Sequence, residues 1–237
     1  VTIKVSDEGH YNMMIGAADM GTGCDTTLAQ IAADCLDCDV DDIVVYGVDT
    51  DVSPYDSGSY ASSTAYVTGN ATIKACTELR QKICAIGARL LEAEADAVDF
   101  DGKVVYVKGD EEKNVTLKKV STKNMCGCDL NLEVSASHTS PKSPPPFMAS
   151  MAEVEVDTET GEIKLVDFVS CVDCGTPINP ALVKIQVEGG VAQGVGMALY
   201  EDVTYTNRGM IAENSFMQYK IPSRVDLPTF RTEIAKG

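Results

Sequence analysis

The chain has 237 residues, 44% of them apolar, with 19 basic against 36 acidic side chains and a formal charge of −17. That length can bury a substantial core in one large domain or two modest ones. The charge repels phosphate backbones and anionic lipid, which argues against nucleic-acid and membrane-surface roles, and no apolar run reaches the ~18–20 residues of a membrane span.

The opening Val1-Thr2-Ile3-Lys4-Val5 is already a strand pattern with no initiator Met, so the chain is expected to be a piece of something longer. Val1–Val5 and Asn12–Gly16 alternate as two strands around the turn Asp7-Glu8-Gly9. A loop with Gly21-Thr22-Gly23 leads into a helix from about Asp25 to Leu36, and Ile43–Val48 reads as a short apolar strand. The small-residue stretch Ser53 to Ser63 then feeds a long helix from Thr64 to Leu91. Its stripe of Val67, Ala71, Ala75, Leu79, Ile83, Ile86 and Leu90 repeats at helical spacing and reads as core. Val98–Phe100 and Val104–Val107 flank Asp101-Gly102, a hairpin signal. Glu111 to Cys128 is polar and has room for a short helix.

Ser140 to Pro146 is the one proline-dense run and must be extended. Met151–Asp157 and Glu162–Cys171 form a second hairpin around Thr158-Glu159-Thr160-Gly161. Asn179-Pro180 is a cap followed by a helix-starting proline. The helix it opens carries Gly189, Gly190, Gly194 and Gly196, at about 1 kcal/mol each relative to alanine. That cost calls for another backbone or a ligand against this face, with Gln186 and Gln193 near the same end as polar readers. Helices and strands are interspersed without regular βαβ spacing. The expected class is therefore α+β, with mixed sheets and packed helices, in two subdomain portions, 1–139 and 140–237.

Nine cysteines are present. Cys35/Cys38 and Cys171/Cys174 have CxxC spacing and Cys126/Cys128 is CxC, but the CxxC pairs lie far apart, and His10 and His138 are the only imidazoles. Reduced, mostly buried thiols in a cytoplasmic protein are the simpler reading beside a thiolate–metal site.

Three constellations bear on chemistry. Asp19-Met20-Gly21-Thr22-Gly23-Cys24-Asp25-Thr26 sits at a strand-to-helix junction. There, backbone N–H groups can meet an anion such as phosphate, or Asp25 or Thr26 can simply cap the helix. Ser57 to Thr64 offers hydroxyls that can cap the second helix or bind a ligand's phosphates. The glycine helix with Gln186 is the third, where close helix packing is the alternative. None supplies a nucleophile–base pair. Three donor-rich sites without a catalytic side chain describe a cradle for a large cofactor.

In order, the first loop, Tyr60-Ala61-Ser62-Ser63, then Asp173 to Pro180 with Gln186-Val187-Glu188-Gly189-Gly190 and Gln193-Gly194-Val195-Gly196, and finally Tyr219-Lys220-Ile221-Pro222 resemble the molybdenum-binding subunit of the xanthine dehydrogenase/aldehyde oxidoreductase family. The resemblance covers nearly the whole chain. It implies molybdopterin with molybdenum, often as the cytosine dinucleotide, with iron–sulfur clusters and FAD on other domains or subunits and a small-molecule substrate. A homodimer is compatible with it.

Carried over, Gly21, Thr22 and Gly23 would approach the pterin or its phosphates. Ala61 would face the molybdenum, Ser62, Ser63 and Thr64 would hold cofactor oxygens, and Gln186 would hydrogen-bond the pterin. Thr22 departs from the family's usual Gln. The GTGxDT variant resembles the branch of hypoxanthine oxidases and selenate-reductase-associated hydroxylases, which favours a purine over an aldehyde. The family's catalytic Gly-Glu motif would fall beyond Gly237, so the chain alone is expected to be inactive. A family relative that has lost cofactor affinity and a thiolate–metal redox module are the alternatives.

Overall fold

The computed structural model describes residues 1–125, 131–142 and 144–235; Cys126 and Cys128 lie outside them. The chain divides into two compact units, Val1–Ser143 and Pro144–Gly237, so the division falls inside the proline-dense run.

In the first unit, β1 (Thr2–Val5) and β2 (Tyr11–Met14) pair antiparallel around the expected turn. β3 (Ile43–Tyr46) joins β2 in parallel and β7 (Glu133–Ser135) joins β1 antiparallel, giving the order β3-β2-β1-β7. The apolar run of β3 is an edge strand, with Val44 and Tyr46 exposed. A second sheet holds β4 (Val98–Phe100), β5 (Val104–Val107) and β6 (Asp110–Thr116), the expected hairpin plus one strand. β6 is masked in sequence by its charges: it is an edge strand that buries Val115 and leaves its other residues in solvent. The helix expected in this polar stretch is α3 (Leu117–Met125).

α1 (Cys24–Leu36) buries Leu28, Ile31, Ala32 and Leu36. α2 (Thr64–Leu91) has the expected bounds, and at about 1.5 Å per residue it is roughly 42 Å long. Its stripe of Ala71, Ala75, Leu79, Ile83 and Ile86 is buried, and the helix packs against strands of both sheets and against α1. Leu79, Ile83 and Ile86 are fully enclosed, each contributing about 1.5–3 kcal/mol of transfer free energy. Gly87 is required here, because a Cβ would sit 2.6 Å from Val105 Cβ on β5.

In the second unit, β8 (Phe147–Val156) and β9 (Ile163–Asp173) form a hairpin longer than expected. β10 (Arg231–Ile234) lies parallel to β9, a strand hidden by its charged residues. α4 (Pro180–Leu199) starts as expected: Asn179 Oδ1 accepts from Leu182 N at 3.1 Å, and Pro180 takes the first turn. Leu165, Val191 and Val195 make its small core, and Phe168 meets Phe230 edge-on at 5.9 Å.

The glycines of α4 part company. A Cβ on Gly196 would collide with the Glu201 carboxylate and come within 3.1 Å of Pro222 Cδ, and Glu201 in turn accepts the Tyr219 hydroxyl. Among the described residues nothing lies within 4 Å of a Cβ built on Gly189, Gly190 or Gly194. Among the described residues the close neighbour expected on this face is therefore met at Gly196 alone, and there by the side chains of Glu201 and Pro222 rather than by backbone.

Two turn glycines separate backbone strain from crowding. Gly102 (φ +88°) and Gly109 (φ +86°) are both left-handed, but a Cβ on Gly102 would strike the Asp37 carbonyl, whereas Gly109 faces open space. Gly109→Ala should cost about 1–2 kcal/mol from the left-handed conformation alone. Gly102→Ala should cost at least about 1 kcal/mol more, because Asp37 backbone cannot yield as a side chain would. Urea denaturation of both variants checks this, and equal losses would contradict the contact.

Candidate functional site

Strand register puts Tyr46, Met14, Thr2 and Ser135 in one row across the first sheet. β2, β3 and β7 all end at that row, so the chain leaves the same edge three times: as the glycine loop, as the small-residue loop, and as the segment after Ser135. Ligands commonly bind beyond the carboxyl ends of parallel strands. The first two loops interlock. A Cβ on Gly16 would fall 2.8 Å from Asp56 Cβ, and one on Gly47 would fall 3.2 Å from Asp25 Oδ2.

At the head of α1 the anion position belongs to the protein itself. Asp19 Oδ1 accepts from Gly21 N at 2.9 Å and Gly23 N at 3.1 Å. Burial pushes this carboxyl upward, but hydrogen bonds from the N–H groups of Gly21, Gly23, Asp25 and Thr22 outweigh it and hold the group below its ordinary range. Gly23, left-handed at φ 69°, is the N-cap and gives no side-chain bond, while Thr27 Oγ1 donates to its carbonyl at 3.0 Å. Neither Asp25 nor Thr26 caps the helix, and the N–H groups read as open to phosphate are already engaged by Asp19. Gly21 at φ +98° still has nothing within 4 Å of a Cβ position, which leaves its outer face accessible.

The head of α2 is different. Tyr60–Ser62 forms a 3-10 turn in which Ala61 (φ 55°, ψ 28°) and Ser62 (φ 55°) are both left-handed, followed by Ser63 in the right-handed region. Such a change of hand turns successive N–H groups toward one point and makes an anion-accepting concavity, reinforced by the dipole of a long helix. Ser63, the N-cap, makes no side-chain capping bond, so the capping reading of these hydroxyls does not hold. Asp56 on the same loop is occupied, accepting from Gly58 N at 2.8 Å and Thr68 Oγ1 at 3.3 Å. Tyr66, in the first turn of α2, meets the ring of His138 edge-on at 6.4 Å. The periodicity of the chain carries no signal for that pair.

Gln186 belongs to the second unit. It is exposed on α4 and lines a groove of about 620 Å³ between α4 and the β8–β9 sheet, with Met148, Leu165, Phe168, Gly190 and Gly194. Gln193 is also exposed.

The thiols divide in the same way. Burial pushes Cys38 and Cys76 up to about 12 and raises Cys35, whereas Cys171 and Cys174 are exposed in the second unit. Among the described residues the group with metal-ligand spacing is Asp19, Cys24 and Asp25, within 4.8 Å of one another. It includes neither CxxC pair. Burial pushes the Cys24 thiol up to about 11, which keeps it protonated and a poor ligand.

A family model described as a molybdopterin cofactor-binding domain matches residues 1–228. The chain belongs to this family. It is 36% identical over 228 residues to the probable hypoxanthine oxidase of Escherichia coli, covering 95% of this chain and 24% of that protein. It is 31% identical over 235 residues to the carbon monoxide dehydrogenase large chain of Afipia carboxidovorans, covering 98% and 29%. The crystal structure of quinoline 2-oxidoreductase from Pseudomonas putida superposes with a TM-score of 0.88 at 30% identity, covering the whole of this chain and 31% of that one. The chain thus spans 24% to 31% of the length of these relatives. The matches establish the α+β architecture as that of the molybdenum-cofactor domain and the chain as a molybdopterin-binding domain of the xanthine and carbon monoxide dehydrogenase type. Among the described residues no helix is long and apolar enough to cross a membrane.

Two outcomes follow from the loop geometry. Ala61→Gly should stabilise the chain by about 1 kcal/mol by relieving a left-handed alanine, read as a higher unfolding midpoint; a lower midpoint would contradict the strained conformation. Asp19 has a depressed folded pKa, so its stabilising contribution is present above the unfolded value of 3.8 and is lost as pH falls through the lower folded value. Asp19→Asn should flatten the fall of the unfolding midpoint in that acid range, and an unchanged profile would remove Asp19 from this role.

Proposed function

We propose that the chain is the cofactor-holding part of a molybdenum hydroxylase. The enzyme inserts water-derived oxygen into a C–H bond of an N-heterocycle such as hypoxanthine or xanthine, with an aldehyde as the alternative substrate. The observation that carries the reading is the head of α2, where turned-in N–H groups and uncapped Ser63 suit an anionic, multiply hydrogen-bonding group. The family membership supports molybdopterin as that group. The likeness to a hypoxanthine oxidase and to a quinoline oxidoreductase supports a ring nitrogen next to the reacting carbon.

When bound, molybdopterin with its molybdenum supplies the oxygen-transfer and electron-accepting chemistry. The residues here bind and orient. Ala61 would lie on the molybdenum side, and Ser62, Ser63 and Thr64 would offer backbone and hydroxyl donors to cofactor oxygens. Gly21 and Gly23 let backbone approach the pterin or its phosphates, and the Thr22 hydroxyl takes the place of a longer amide. Gln186 hydrogen-bonds the pterin with its carboxamide. The cytosine dinucleotide form suits the donor-rich head of α2, since it adds phosphate to be held. The roles assigned to these residues are in binding, and none of them is given an acid–base step. Iron–sulfur and FAD domains or subunits take the electrons, in a cytoplasmic assembly compatible with a homodimer. A relative named as a large chain supports a multi-subunit enzyme.

The test is cofactor content after production in a host that makes molybdopterin and anaerobic purification. Molybdenum and pterin should be present at close to one per chain, and Gln186→Ala should lower both about tenfold, the worth of one strong hydrogen bond. Wild-type protein without molybdenum or pterin would overturn the proposal. Thr22→Gln separates a binding site from a degenerate one, because loading that appears only in this variant would show that the native loop has lost the cofactor.

A further inference from the structure

The second unit buries little of its apolar surface. Among the described residues from Pro144 onward, the buried apolar side chains are Leu165, Val172, Val191 and Val195. Four such side chains do not offset the conformational entropy of ordering a body the length of Pro144–Gly237. Strand register shows where the missing cover belongs. Ser150 and Ser170 are cross-strand partners whose hydroxyls meet at 3.4 Å. Alternation puts Met148, Ala152, Phe168 and Val172 on the same side of the sheet, and Met148, Ala152 and Phe168 line the groove beneath α4. Phe147, Ala149 and Met151 on β8, with Val169 and Cys171 on β9, therefore face the other way.

That second face is apolar and bare. Phe147 is 69% and Met151 70% exposed, and Ala149 and Cys171 are exposed beside them. An apolar sheet face is stable when another layer packs on it, and α4 lies on the opposite side. The margins carry charge. Arg231 pairs with Asp167 on this face, while Glu153 and Glu233, both exposed, have no ion pair among the described residues. A second copy would bring the same carboxylates against these, in a chain whose formal charge is already −17, and like charges across an interface oppose association. The face suits a segment that is apolar in its middle and carries lysine at its flanks. Its source is the same polypeptide. This chain makes up 24% to 31% of the length of its relatives, so most of a polypeptide of that size remains to supply a cover. A tethered segment also acts at high effective concentration, which suits a unit with so small a core.

We propose that the face formed by Phe147, Ala149, Met151, Val169 and Cys171 is the docking surface for a lysine-flanked apolar segment carried elsewhere on the same polypeptide. The inference does not depend on the cofactor reading, and cofactor-free protein tests it.

Cys171 is a native reporter, because it lies on this face and is exposed unless something covers it. The natural full-length polypeptide, freed of other subunits, is treated with a maleimide, and labelling of Cys171 is followed by peptide mass spectrometry. Cys171 should react at least about tenfold more slowly in native protein than in guanidinium, since only transient opening would reach it. Met151→Glu should remove most of that protection and Met151→Leu should keep it, with circular dichroism showing that both fold. A carbodiimide, which joins carboxylates to amines in contact, should link Glu153 or Glu233 to a lysine of the same polypeptide that is not among these 237 residues. This second readout decides the matter even if Met151→Glu does not fold. Equal native and denatured rates would overturn the inference, as would protection that survives in a folded Met151→Glu variant. Protection lost on dilution would mark a second copy as the occupant, and protection seen only with other subunits present would mark one of those; either overturns it. So would protection without the expected link, or a link to a lysine within these 237 residues.

Discussion

Everything in the first unit is arranged around one 28-residue helix. α2 presses a stripe of alanine, leucine and isoleucine against α1 and against strands of two separate sheets. Each large side chain in that stripe is worth a few kcal/mol when enclosed. Packing density then leaves little freedom for the helix to slide or turn, because a shift of one methylene would open cavities on several sides at once. The position of the helix start is thereby set by contacts far from it. A loop alone could not hold two left-handed residues, Ala61 and Ser62, against their preference. A loop welded to the end of a buried rod can.

The same constraint explains why two similar-looking helix starts behave differently. Both follow strands that end at one row of the sheet, and both begin with small residues. At α1 the preceding loop folds Asp19 back onto its own N–H groups, which neutralises the helix end from within. At α2 the corresponding carboxylate, Asp56, reaches sideways to Thr68 and Gly58, and Ser63 leaves its hydroxyl out of the cap. At one helix start the N–H groups are satisfied by the chain's own carboxylate, so its glycines can offer a cofactor close approach more than free donors. At the other, Ser63 makes no side-chain cap, which suits the cofactor role proposed for a molybdopterin cofactor-binding domain.

Much of this was legible in the chain. The long helix could be bounded to the residue because its apolar stripe is uninterrupted and small residues precede it. Asp101-Gly102 announced its hairpin, and Asn179-Pro180 announced the start of α4, since caps and turn glycines act locally. β6 and β10 were not legible. Their exposed, charged residues carry no period, and only a neighbouring strand makes them strands. The glycines of α4 misled in part: at Gly196 the close neighbour exists as Glu201 and Pro222, but Gly190 and Gly194 line a groove.

By itself the sequence determined the local grammar: where helices begin and end, which residues fill the core, and which small-residue loops are available to a cofactor. Those follow from dihedral preferences and hydrophobic period, which act over a few residues. Tertiary structure alone decided which carboxylate occupies which helix end, that β2, β3 and β7 deliver three segments to one edge, and that His138 comes to rest beside Tyr66, 72 residues away in the chain (138 − 66). Those outcomes depend on strand register and on the packing of α2, and neither is a property of any short stretch of residues.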